Sequence, residues 1–142
     1  MYKRIIFLIA SLFILTSCVG SLLSDPADAF IGTYTYTDNY FVRWGGDSEA
    51  SSMNGYFTIS KVSSNMVQMT GAWTTTGTVT GKTVQFTACP QSDSEGYVNY
   101  TFGSGRLSGN KLSFSYSGYG QRRYYGISYP WETSGNVVAT KQ

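Results

Sequence analysis

Histidine is absent from this sequence, cysteine occurs twice and proline three times, and charged residues make up only 13% of its 142 positions. Without histidine the chain lacks the commonest general base, the commonest metal ligand and the only side chain that titrates unperturbed near neutrality. Histidine-based triads and histidine zinc sites are therefore excluded. Ten Lys and Arg against eight Asp and Glu leave a formal charge of +2, with no clustered basic face of the kind that grips nucleic acid. Helical periodicity is missing as well: after Phe30 no window carries apolar residues at i, i+3, i+4 and i+7. The length fits one domain.

What is present begins with an address. Lys3 and Arg4 precede the apolar run Ile5 to Leu15, the order of a secretory signal, and the run is short of the roughly 20 apolar residues needed to span a bilayer. Leu15-Thr16-Ser17-Cys18 then resembles the bacterial lipobox, an aliphatic residue and two small residues ahead of an invariant Cys. The resemblance implies that residues 1–17 are a lipoprotein signal peptide and that Cys18 becomes the lipidated first residue of the mature chain. Several acyl chains on one residue give stable membrane attachment where a single chain gives only marginal binding. The alternative is an ordinary secretory signal cleaved at a small-residue site, with Cys18 incidental. Val19 stands where inner-membrane retention in some enterobacterial lipoproteins uses Asp, which points to the outer membrane. Removing Lys3 and Arg4 leaves eight bases against eight acids, so the mature chain is formally neutral.

With Cys18 lipidated, Cys89 is the sole remaining thiol and no intramolecular disulfide can form. A domain of this size can stand on its core without such staples. Cys89 sits just before Pro90 and reads as a small, partly buried residue at a strand end. No basic residue adjoins it in sequence to activate the thiol.

Residues 18–29 read as the lipidated terminus and a tether, and residues 30–142 as the domain. There Thr, Ser, Gly and Tyr dominate, and alternation predicts strands. They cover Gly32 to Thr37, Tyr40 to Trp44, Asn54 to Lys61, Met66 to Ala72, Thr74 to Val79, Thr83 to Ala88, Tyr97 to Gly103, Leu112 to Ser117, Arg122 to Tyr129 and Asn136 to Thr140. Asp38-Asn39 is expected to bend the first, and Gly45 to Ser52 to form the longest loop. Gly118-Tyr119-Gly120 and Ser134-Gly135 are expected as separators. Gly81-Lys82 and Gly109-Asn110 are expected as type II′ hairpin turns, with Val79 and Val84, and Leu107 and Leu112, paired across them.

Eight to ten short antiparallel strands without a helical crossover fold as an up-and-down barrel or a sandwich. Closure would remove exposed edges in a chain with few charges to guard them. Phe30-Ile31-Gly32-Thr33-Tyr34 resembles the strand start of lipocalin-like and other calycin barrels, with Tyr in place of the usual Trp. Together with the strand pattern this makes the chain resemble the small calycin-like lipoproteins of Bacteroidetes and implies a single antiparallel β-barrel.

No catalytic residue and no cofactor is expected. Turn positions explain Asp38, Asp47 and Asp93 as caps of their own backbone. Asp47 with Glu49, or Asp93 with Glu95, is too sparse a set for a cation loop, so a metal site is not expected either. Phe57, Ile59, Val67, Met69, Val84, Phe86, Val98, Tyr100, Phe102, Leu112, Phe114 and Tyr116 are expected to face the interior, either filling it or lining room for one small ligand. The segment Arg122 to Trp131 sets two guanidinium groups beside four aromatics, offering stacking faces and anion-reading forks. Arg122, Arg123, Tyr124, Tyr125, Tyr129 and Trp131, with Trp44, are the candidate binding residues. Trp73 near a loop is equally open to a core or a surface role. The expectation is a lipid-anchored envelope protein, not an enzyme, that binds a small apolar or amphipathic ligand or a glycan. A filled barrel engaging an envelope protein through its Tyr/Arg surface is the alternative.

Overall fold

A computed structural model describes residues 24–142; the expected signal peptide and Cys18 lie outside them. The strands are β1 (Gly32–Trp44), β2 (Asp47–Ser63), β3 (Met66–Gly71), β4 (Thr75–Thr80), β5 (Thr83–Phe86), β6 (Cys89–Asp93), β7 (Gly96–Phe102), β8 (Gly105–Ser108), β9 (Lys111–Tyr124) and β10 (Ile127–Lys141). All pair antiparallel in the order β10-β1-β2-β3-β4-β5-β8-β9-β7-β6, and a further β9–β10 ladder closes the ring. The fold is thus an up-and-down β-barrel.

One hairpin departs from consecutive order. β9 pairs through Lys111–Ser113 with β8 and through Tyr116–Arg122 with β7, so the β6–β7 hairpin joins only the upper half of the wall. On the other side, β2 pairs with β3 only from Phe57 onward, and residues 47–56 pair with β1 alone. The barrel is therefore closed at its base and open at its top. There the β1–β2, β6–β7 and β9–β10 turns project.

The base carries the tight turns and the chain entry. Gly81 and Gly109 have φ of +58° and +60°, the left-handed value required at the first central position of a type II′ turn, where glycine bears no Cβ penalty. Val79 pairs with Val84 and Leu107 with Leu112 across them. Pro26–Phe30, assigned above largely to a tether, instead forms a 3-10 turn whose Ala27 and Phe30 are fully buried. Ala27 N–H donates to the Ser64 carbonyl, and Lys61 bridges Asp25 and Asp28. The packed unit thus starts several residues before the expected domain boundary.

Every residue expected inside is buried except Tyr100, which is half-buried against the same cluster. The space between the walls is filled by Trp73 from the β3–β4 loop. Its indole lies 5.1 to 6.4 Å, centroid to centroid, from Tyr116, Phe102, Phe114, Tyr36 and Tyr100. Below it Tyr34 stacks on Phe57 at 5.3 Å, and its hydroxyl donates to the Phe30 carbonyl at 2.8 Å. Burial pushes the Tyr34 phenol up to about 12.

Several breaks expected from composition are not breaks. β1 runs straight through Asp38-Asn39. Asp38 is not a turn cap but a buried carboxylate, 1% exposed, accepting a 2.7 Å hydrogen bond from the Tyr116 hydroxyl. Its Oδ1 has no hydrogen-bond partner among the described residues, and burial holds its pKa above the ordinary carboxylate value. The expected long loop shrinks to Gly45-Gly46, with β2 starting at Asp47. Gly118 to Gly120 and Ser134-Gly135 lie inside β9 and β10. Gly135 is there for room: a Cβ would stand 2.5 Å from both Asp38 Oδ1 and the Tyr116 ring. Finally, Arg122 to Tyr129 is two strands, divided at Tyr125-Gly126, where φ of 50° and 79° makes a turn with both central residues left-handed.

Candidate functional site at the barrel mouth

Alternation along β1 carries Tyr34, Tyr36, Asp38 and Val42 inward, and the same face ends at Trp44, directly opposite Trp131 of β10. Tyr34, Tyr36, Asp38 and Val42 are buried below, whereas Trp44 and Trp131 are only half-buried and line a mouth. The Trp44 and Trp131 rings stack at 5.8 Å with 27° between planes. Next to them Arg122, paired across the ladder with Tyr129, places its guanidinium carbon 5.8 Å from the Trp131 ring centre.

Arg122 is fixed from the other side by the β6–β7 turn. Its Nη1 donates to Asp93 Oδ2 at 2.7 Å and lies 3.8 Å from Glu95 Oε2. Asp93 Oδ1 in turn accepts the backbone N–H groups of Glu95 and Gly96 at 2.8 and 3.1 Å, the self-capping turn role expected of it. Those backbone bonds, followed by Arg122, hold the Asp93 carboxyl below its ordinary value. A planar guanidinium gripped by a carboxylate and laid over an indole keeps one orientation.

The result is a cleft of about 520 Å³ lined by Trp44, Glu95, Arg122, Arg123, Tyr124, Tyr129 and Trp131. That volume lies within the usual span for small-molecule sites. The structure brings together all the candidate binding residues except Tyr125, which stands 91% exposed at the hairpin tip with its ring edge-on to Tyr124 at 4.6 Å. Glu95 was not expected here. Sequence reasoning paired it with Asp93 as an acid set; both acids instead face Arg122, contributed from a strand 29 residues further along the chain from Asp93. Arg123 N–H donates to the Glu95 carbonyl, tying the two hairpins together, and its side chain enters no ion pair among the described residues.

A second depression of about 460 Å³, lined by Pro90, Gln91, Ser92, Asp93, Val98, Tyr100 and Arg122, adjoins the cleft through Arg122. Of the other candidates, Trp73 belongs to the core. Cys89 is a buried free thiol whose Sγ donates to the Thr74 carbonyl at 3.3 Å. No family model matches the chain, and no curated protein matches it in sequence.

Proposed function

We propose that this protein is a lipid-anchored envelope lipoprotein that binds a small ring-bearing ligand, a glycan above all, in the cleft at the barrel mouth. One observation carries the reading. Two stacked indoles and an immobilised guanidinium line a ligand-sized cleft, whereas the interior below it is occupied by Trp73 and its aromatic neighbours. Flat aromatic faces suit the apolar faces of sugar rings, and guanidinium forks suit their hydroxyl and carboxylate oxygens. Attachment rests on Cys18.

The full chain in detergent, titrated with neutral and acidic oligosaccharides and with fatty acids, should change its tryptophan emission with sugars. Trp131→Ala should weaken that binding by about tenfold or more, the equivalent of about 1.4 kcal/mol, which is the upper part of what an aromatic contact supplies. A flat response to every sugar, or undiminished binding by Trp131→Ala, refutes the cleft. A second reading, engagement of an envelope protein, draws on Tyr124 and Tyr125, which are exposed at the hairpin tip outside the stacked pair. Tyr and Arg are the residues that anchor such contacts.

A further inference from the structure

The open top leaves two unpaired sheet edges, and they are built differently. The β6 edge is five residues long and carries Pro90, which removes a donor and blunts strand addition. Residues 47–56 of β2 form the other edge, pairing only with β1. From Asp47 to Asn54 every residue is exposed, on both faces of the strand. The run contains no Pro, no Lys and no Arg, and its ladder with β1 is unbroken by any bulge. About half of its N–H and C=O groups point outward, a template for another strand.

We infer that this β2 edge is a docking site for an extended segment of a partner protein bearing Lys or Arg at two positions one residue apart. The charge of the edge selects the occupant. Asp47 and Glu49 lie on the same face of the strand, as alternation requires, and neither enters an ion pair among the described residues. A strand added here in register sets its own alternate side chains beside them and beside Met53. A second copy does not fit as well. Antiparallel pairing about a two-fold axis at Ser51 would set Asp47 against Gly55 and Glu49 against Met53, leaving both carboxylates unneutralised. Main-chain bonds supply affinity in such strand addition, and the alternate side chains supply selectivity. The inference stands apart from the cleft, whose lining includes no residue of this edge.

The test uses the full chain in detergent and a synthetic peptide with Lys at the two positions facing Asp47 and Glu49, Val facing Met53, and Thr between. Amide exchange should slow over residues 47–56 when the peptide binds. The same peptide N-methylated on its pairing edge should not bind, and Asp47→Asn with Glu49→Gln should weaken binding roughly two- to tenfold, as exposed charge pairs do. Trp131→Ala should leave it unchanged. Absence of protection at millimolar peptide, protection confined to another region, or equal binding of the N-methylated peptide overturns the inference. Protection of 47–56 that rises with protein concentration alone assigns the edge to a second copy and overturns the proposed occupant.

Discussion

Removing one oxygen atom tests the buried polar pair that joins β1 to β9. In Tyr116→Phe, the Asp38 carboxylate loses its one hydrogen bond among the described residues, 2.7 Å long, while the ring keeps its place against Trp73 and Tyr100. The cost depends on the charge of Asp38. Burial raises its folded pKa above the unfolded 3.8, with the Tyr116 bond acting in the opposite direction. Between those two values the native state binds more protons than the unfolded chain. The contribution of Asp38 to stability is therefore greatest below 3.8 and declines as pH rises through its folded pKa. Once Asp38 is ionised, the lost bond is one to a charged acceptor, about 1.5–3 kcal/mol; with Asp38 neutral it is about 0.5–1.5 kcal/mol. Urea unfolding well above the folded pKa of Asp38 should show a loss of about 2 kcal/mol, a midpoint shift of about 1 M, shrinking to about half that size below the unfolded value of 3.8, where the carboxyl is protonated. Tyr34→Phe is the control. Its hydroxyl donates to the Phe30 carbonyl, which does not titrate, so its cost should stay level over the same range. A Tyr116→Phe cost that is flat with pH, or larger in acid, refutes the assignment of a destabilised buried carboxylate.

Other outcomes follow from the same geometry. Trp73→Ala empties the centre of the barrel and should cost about 3–5 kcal/mol in urea unfolding; a loss below about 1 kcal/mol would mean that the indole does not fill the interior. Cys18→Ala should move the protein from the membrane fraction to the soluble fraction of the cells that produce it, and unchanged membrane retention would remove the lipid anchor.

Much of this barrel can be read from local pattern because the relevant forces act locally. A strand facing a core on one side must alternate, and the alternating Phe57, Ile59, Val67, Met69, Val84, Phe86, Leu112 and Phe114 identify their own buried face. The paired hairpins at Gly81 and Gly109 are equally legible, since the turn demands a left-handed first residue. The mouth residues stood out by type, as aromatics and guanidiniums crowded into ten positions. Where reading failed, a distant neighbour supplied the cause. Asp38-Asn39 resembles a turn because its partner, Tyr116, is 78 residues away. Gly135 resembles a separator because the Asp38 and Tyr116 atoms that need its space lie on other strands. Asp47 to Met53 does not alternate in polarity because both its faces meet solvent.

Composition and periodicity alone therefore determined an all-β, histidine-free domain with a known inward face, since those properties depend on each residue and its near neighbours. Three matters were decided only in three dimensions. Trp73 fills the interior, the β6–β7 hairpin joins β9 instead of following β5, and Trp44 meets Trp131 beside an Arg122 held by Asp93. Each depends on contacts between residues far apart in the chain, which no local pattern encodes. The cleft exists because the ring closes at the base and opens above, where three hairpins outgrow it.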